Sequence, residues 1–420
     1  MSDSNSPKIA IIGSGPSGCY SAQALLKTVP NAEITVFDRL PVPFGLARFG
    51  VAADHQGTKG VTKQFARLFE RQGVKFVGNL NVGEHVELDT IREHFDAVIV
   101  ATGLHEDRQL DIPGSATPGV VGAGYITRAL NSHPEAKLPL DYSLGEVCIV
   151  VGAGNVAIDC MRLLTKNGTE FTGSDVHDDN HQQLSGKLRE LHLVSRSGVD
   201  QAKFDDSMLR EMTHFEHVRH ELHFGSGDLA AVTNENRRDI LTILQDKCTD
   251  ADPELRGVIH WWFGFAPHEV HGGNLVDTLE IVGEDGTHAL IKTDSVITAI
   301  GFQGDPLVPV TEAGRETGKI EQGLYVGGWA RRGPRGTIAS QRIDALELAK
   351  IIGADLADLN STKSGVAGLN LTPGSTIDYD GWKRIEQKEI EAARSGRARH
   401  KFDSIEEMLK EAGMQPTSQH

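Results

Sequence analysis

Lys8-Ile-Ala-Ile-Ile12 runs straight into Gly13-Ser-Gly15-Pro-Ser-Gly18. The apolar run predicts a buried strand, and Cys19 to Lys27 predicts a helix. A second apolar run, Ile34-Thr-Val-Phe37, ends at Asp38. Strand, glycine turn, helix, strand and acid in this order describe a dinucleotide cradle, with an ordinary βαβ turn as the alternative. Gly13 makes the tight turn, Gly15 lets the backbone approach a pyrophosphate, and Gly18 lets the helix pack on the strand. Pro16 and Ser17 lie at the helix N-terminus, whose unpaired N–H groups face the anion. Asp38 stands where a carboxylate grips a ribose diol.

The same grammar returns at Val147-Cys-Ile-Val-Val151 and Gly152-Ala-Gly154-Asn155-Val156-Ala157, with a helix from Ile158 to Leu164. Its partner strand, Leu191-His-Leu-Val194, ends at Ser195-Arg196-Ser197 instead of an acid. A guanidinium and two hydroxyls suit a 2′-phosphate and favour NADP over NAD; a surface arginine is the alternative. Between the cradles, Thr58 to Gln72 reads as an amphipathic helix, Val74 to Val77 as a strand, and Phe95 to Gly103 as a buried strand entering a glycine turn. Asp294 to Gly301 closes the second unit, and Gly323 to Trp329 is a strand followed by a helix from Ser340 to Ile352. The polar segment Gly168 to Leu184 reads as a mobile connection, and the charged tail Trp382 to Ala412 as helical. The expected fold is α/β, with two Rossmann-like dinucleotide-binding domains. The first is discontinuous, residues 1–105 plus 323–420, and the second covers 106–322.

Composition narrows the function. Acids outnumber bases, 58 to 42, and the net charge of −16 disfavours nucleic acid and anionic membranes. Cys19, Cys148, Cys160 and Cys248 include no Cys-x-x-Cys pair, against a disulfide framework, a zinc ribbon, a redox dithiol or an iron–sulfur cluster within the chain. Met1 to Lys8 lacks a basic leader, and no apolar run is long enough for a membrane span. A cytoplasmic protein is expected, its oligomeric state open and a monomer compatible. His214, His217, His220 and His223 recur every three residues, but Val218 to Phe224 alternates like a strand and throws them to opposite faces, so no metal site is expected. Gly336-Thr337-Ile338 precedes a helix and would offer N–H groups to a flavin carbonyl edge, with Trp329 covering the ring or serving as a core residue.

These phrases, with Pro43-Phe-Gly-Leu-Ala-Arg-Phe-Gly-Val-Ala-Ala-Asp-His55, Gly78-Asn-Leu-Asn-Val-Gly83, Gly154-Asn-Val-Ala-Ile-Asp159, Gly328-Trp-Ala-Arg-Arg-Gly-Pro-Arg-Gly-Thr-Ile338 and Asp380-Gly-Trp-Lys-Arg-Ile385, resemble the adrenodoxin reductase family of ferredoxin–NADP⁺ reductases over nearly the whole chain. The resemblance implies FAD in the first domain and NADP(H) in the second. It implies hydride transfer to flavin N5 and one-electron steps to a ferredoxin-type iron–sulfur protein. It places His55 and Glu211 near the nicotinamide, Trp329 and Gly336 near the flavin, and Asn155 in the second loop. Arg39, Gly45, Leu46 and Gly103 complete the expected cofactor set. Arg210, Arg237 and Arg238 match the family's basic docking region, and Arg331, Arg332 and Arg335 flank the expected flavin edge.

The chain departs from the family at three places. Arg196-Ser197 replaces a double arginine, and the lost charge-assisted hydrogen bond is worth roughly 1.5–3 kcal/mol, enough to relax NADPH selectivity. Ala53-Asp-His55 replaces Pro-Asp-His, and Phe204-Asp205 replaces Phe-Thr, adding a carboxylate near the cofactor mouth. The competing readings are a reductase with another acceptor, like the glutamate synthase small subunit, and a non-catalytic nucleotide-binding protein. The former group carries cysteine clusters before its first glycine loop, and none precede Gly13.

Overall fold

The computed structural model describes residues 6–246, 257–304 and 307–414; Cys248 lies outside them. The strands are β1 (Lys8–Ile12), β2 (Glu33–Phe37), β3 (Lys75–Val77), β4 (Ala97–Val100), β5 (Glu106–Asp107) and β6 (Val120–Gly122). Then come β7 (Val147–Val151), β8 (Glu190–Ser195), β9 (Val218–Phe224), β10 (Gly257–Phe263), β11 (Phe265–Gly272) and β12 (Val276–Gly283). The last are β13 (His288–Lys292), β14 (Ser295–Thr298), β15 (Phe302–Gln303), β16 (Lys319–Glu321) and β17 (Leu324–Val326).

Two six-stranded sheets organise the molecule, in the orders β16-β17-β4-β1-β2-β3 and β6-β14-β7-β8-β10-β9. Apart from β16, antiparallel at one edge, neighbouring strands of both sheets run parallel. Parallel strands are covered on both faces, which is why residues 9–12 of β1 and all of β4 are continuous apolar runs, with every residue of both strands buried. Ile11 lies in register between Val36 and Ile99, with apolar clusters packed above and below the sheet.

The first sheet is completed by β16 and β17, which follow the whole second sheet in the chain, so the first Rossmann-like unit is discontinuous. β16 precedes residue 323 and already belongs to that sheet. The two crossings between units pair with each other, β5 against β15. The antiparallel β11-β12-β13 sheet packs on one face of the second sheet.

Three expectations need revision. The helix over 58–72 is two, Gln56–Lys59 and Val61–Arg71, meeting at Gly60. The segment 168–184 is built into the core instead of linking loosely. It holds a 3-10 turn, Gly168–Phe171, closed by a reciprocal Asn167–Glu170 capping box, and a helix, Asp178–Ser185. Phe171, Val176 and Leu184 are buried, so its polar residues cap and pair while its few apolar ones anchor. The tail is also not one helical run: Tyr379–Glu391 and Ile405–Glu411 are joined by a non-helical strap.

The alternation expected over 218–224 holds. His220 accepts from Trp261 Nε1 at 3.1 Å on one face of β9, and His223 stacks on Trp262 on the other. Among the described residues, no helix is long and apolar enough to cross a membrane.

Candidate active site

The first loop follows β1 and opens the helix Pro16–Thr28. Gly13 has φ +107°, and a Cβ there would lie 2.5 Å from the Ala101 carbonyl oxygen, so only glycine makes this turn. A Cβ on Gly18 would meet the Gly13 carbonyl oxygen at 1.9 Å, which is how closely helix and turn pack. Gly15 is open: a Cβ there would meet only the Cα of Gly45, at 4.0 Å. Gly45 begins the short helix Gly45–Phe49, which carries Leu46. No side chain caps the helix beginning at Pro16, so its first N–H groups remain for an anion.

Asp38, at the end of β2, holds the loop. It accepts from the Ser14 and Leu40 amides, each at 2.9 Å, and from the Ser14 hydroxyl. Burial raises its carboxyl above the usual value, against those hydrogen bonds. Arg39 pairs with Glu135. Gly103 sits past the end of β4 in open space. The Ser17 hydroxyl is buried without a hydrogen-bond partner. It lies against Gly328, whose amide donates to Asp344 at 2.7 Å. An unsatisfied hydroxyl beside an uncapped helix suits a polar ligand such as a dinucleotide pyrophosphate.

The second loop repeats the construction. A Cβ on Gly152, at φ +131°, would lie 2.3 Å from the Ala299 carbonyl oxygen, whereas Gly154 faces open space. The helix Asn155–Thr165 likewise has no side-chain cap; Ala157 is buried and Val156 packs against the core. Asn155 and Asp205 clasp each other: Asn155 Nδ2 donates to Asp205 at 2.7 Å, and the Asp205 amide donates to Asn155 Oδ1 at 2.8 Å. Asp205 thus orients the loop asparagine. Arg196 projects exposed from the end of β8. Ser195 points inward and donates to the Ser197 carbonyl at 2.7 Å, which leaves Arg196 and the half-buried Ser197 for a phosphate.

His55 and Glu211 come together, although 156 positions separate them: His55 Nε2 lies 3.2 Å from Glu211 Oε2. Beneath them is a set that sequence reasoning missed. The Arg162 guanidinium, 1% exposed, lies 3.1 Å from Glu211 and 2.6 Å from Asp159, and pairs with Asp54. Lys166 also reaches Asp54. Burial raises the Asp159 carboxyl against Arg162. At Asp54 burial would also raise the carboxyl, but Arg162 and Lys166 outweigh it and the value falls. The available signal was spacing: Asp159 and Arg162 lie one turn apart on the helix, Lys166 follows its last residue, and Asp54 precedes His55.

On the flavin side, Trp329 is half-buried, stacks on Phe302 at 5.6 Å and donates to the Arg335 carbonyl at 3.2 Å. Gly336 and Thr337 are exposed and Ile338 is half-buried, just ahead of the helix Gln341–Asp355.

The docking arginines divide. Arg237 is buried, ion-paired to Asp206 at 2.7 Å and bonded to the Val199, Ala202 and Phe204 carbonyls, so it fastens its own unit and is no docking residue. Arg210 is exposed and Arg238 half-buried. Arg331 is buried on the Arg315 and Glu316 carbonyls, and both Arg331 and Arg332 pair with Asp344, leaving Arg335 exposed.

The family pattern of the pyridine nucleotide-disulphide oxidoreductases matches residues 7–324. The chain is 38% identical to cindoxin reductase of Citrobacter braakii, over 96% of this chain and 90% of that one. It is 30% identical to the mitochondrial NADPH:adrenodoxin oxidoreductase of Arabidopsis thaliana, over 96% and 94%. Among solved structures it resembles Mycobacterium tuberculosis FprA in complex with NADPH, with a TM-score of 0.85 and 28% identity over 97% of this chain and 99% of that one. The chain belongs to the pyridine nucleotide-disulphide oxidoreductase family, within its adrenodoxin reductase-type branch of ferredoxin–NADP reductases.

Proposed function

We propose that this protein is an FAD-dependent oxidoreductase that moves electrons between NADP(H) and a ferredoxin-type iron–sulfur protein. The observation that carries this reading is two open, uncapped glycine cradles at strand ends, with His55 and Glu211 in contact beside the second. In this reading the loop Gly13–Gly18, with Asp38, holds FAD, and Gly152–Ala157 with Arg196 holds the nicotinamide nucleotide. The first unit then comprises residues 1–105 and the segment returning from β16 onward, and the second the residues between.

Bound together, the two cofactors supply a two-electron exchange between pyridine and flavin and single-electron delivery to the acceptor. The chain's own residues bind and orient. Glu211, steadied by Arg162, holds the His55 ring at the nicotinamide position. The imidazole orients the ring; the redox step draws no proton from it. Trp329 covers the flavin edge, and Gly336 to Ile338 present backbone N–H groups. Arg210 and Arg238, with Arg335 beside the expected flavin edge, are the arginines left for an acidic partner, raising association rate in a salt-sensitive way.

Anaerobic stopped-flow reduction tests the reading. The purified protein is yellow and is bleached faster by NADPH than by NADH, and Ser197→Arg widens that ratio by about an order of magnitude. A colourless, well-folded protein after gentle purification overturns the flavin assignment. Equal rates with the two nucleotides overturn the role of Arg196.

A further inference from the structure

Three neighbouring strands of the second sheet gather side chains that lie far apart in the chain. The parallel register sets Glu221 of β9 beside His260 of β10, and His260 beside His192 of β8. One step along the same face, His223 of β9 lies beside Trp262 of β10. Further across this face, Ile149, Val151 and Val194 are covered by residues of β11, β12 and β13. Towards the β9 edge the polar groups are half-exposed.

The geometry is that of a ligand set. His223 Nε2 and His260 Nδ1 are 3.2 Å apart. His260 Nδ1 and Glu221 Oε2 are 3.2 Å apart, and His223 Nε2 and Glu221 Oε2 4.0 Å. A tetrahedral ion with bonds of about 2.0–2.1 Å holds its ligand atoms roughly 3.3–3.4 Å from one another, so small adjustments bring all three onto one centre. The carboxylate carries the kind of outer hydrogen bond such a site uses. Arg219 binds the other oxygen of Glu221 at 2.7 Å, leaving Oε2 turned to the histidines. The Trp262 ring stacks on His223 at 3.8 Å, and its Nε1 donates to His192 Nδ1 at 3.2 Å. His192 in turn stacks on His260 at 4.3 Å. Because His192 accepts through Nδ1, its proton sits on Nε2, facing Glu190 at 3.6 Å. It therefore supports the set and is not a ligand. A water molecule would complete a tetrahedral set.

We infer that Glu221, His223 and His260 bind a divalent transition-metal ion of the zinc class, clamping the edge strand β9 to β10. Two imidazoles and a carboxylate match zinc in softness and number. Ligands from two adjacent strands let the ion join β9 to β10, and none of the three belongs to either glycine loop.

The test is calorimetric titration of the chelator-stripped, full-length protein, carrying its native complement of flavin, with zinc chloride. One saturable site per chain is expected. His223→Ala and His260→Gln each weaken it at least about ten-fold. His271→Ala leaves it unchanged, although His271 lies in a second cluster with Glu269 and Glu280. Zinc raises the melting temperature of the unsubstituted protein and not of the two site variants, since an ion that binds only the folded state stabilises it. Circular dichroism and visible absorbance matching the unsubstituted protein show that the variants are folded. No saturable zinc binding, or binding that survives both site substitutions, overturns the inference. So does loss of binding in His271→Ala alone.

Discussion

Arg162 is 1% exposed and answers three carboxylates, Asp54, Asp159 and Glu211. A charge buried this deeply persists only because its partners are already in place, and removing it leaves Asp54 and Asp159, both largely buried, short of a counter-charge. Replacement by methionine keeps most of the volume and removes the charge. Arg162→Met is therefore expected to lower unfolding free energy by about 3–5 kcal/mol, the usual consequence of breaking a buried pair from one side. Glu211→Gln is milder, because Glu211 is 37% exposed and the amide can still reach His55 and Arg162. Urea denaturation of the two variants checks the ranking. An Arg162→Met midpoint equal to that of the unsubstituted protein would show that the guanidinium is not what holds His55 and Glu211 in place.

At the level of elements, the two glycine loops share one construction and serve different cradles. Gly13 serves the cradle assigned to flavin and Gly152 the cradle assigned to the nicotinamide nucleotide, and both turns are sterically closed to a Cβ. Gly152→Ala forces the loop away from Ala299 without touching the first sheet. It is expected to keep the yellow colour and lose NADPH affinity by ten-fold or more, at a cost of about 1–3 kcal/mol of local strain. Absorbance and nucleotide titration separate the two effects, and bleaching of the flavin content instead would place the disturbance in the wrong unit. These loops were legible from sequence because each glycine answers a local requirement: a turn, an approach, a helix contact. The strands were legible for a similar reason, since burial on both faces leaves continuous apolar runs such as Ala97 to Val100. What sequence concealed depends on distant partners. The stretch Gly168 to Leu184 is polar enough to read as loose, yet Asp175 is buried because Lys59 and Lys401 come to meet it. Arg237 looks like a surface charge until three carbonyls close around it. His223 and His260 share a face only after β9 and β10 pair.

Across the whole molecule, the two units and the tail converge on one buried polar hub. Arg48 and Lys59 come from the first unit, Asn131 and Asp175 from the second, and Glu389 and Lys401 from the tail. Burial would raise the Asp175 carboxyl, but Lys401 and Lys59 outweigh it and hold it well below the usual range. The strap beyond Glu391 adds Arg397 to Asp178 at 2.6 Å and a backbone bond from Ala398 to Ser174 at 2.7 Å. Beside this hub, His133 is buried with its ring against Phe49 at 4.8 Å and accepts from the Glu135 amide through Nδ1. Burial lowers its pKa to about 3, and Arg39, Arg128, Arg48 and Lys401 push in the same direction. The imidazole therefore stays neutral in the folded protein while its unfolded counterpart, near 6.5, takes up a proton. Between those two values the unfolded state binds more protons, so stability is full above about 6.5 and falls as pH drops towards 3. From pH 7.5 to 5.5 this residue alone is expected to remove about 1 kcal/mol of stability. His133→Gln retains a polar side chain without a titrating group. Its urea midpoint should consequently fall less over that interval than that of the unsubstituted protein. If the two midpoints fall in parallel, the proton that destabilises the fold in mild acid binds elsewhere, and the contact between Phe49 and His133 is not the acid-sensitive joint between the units.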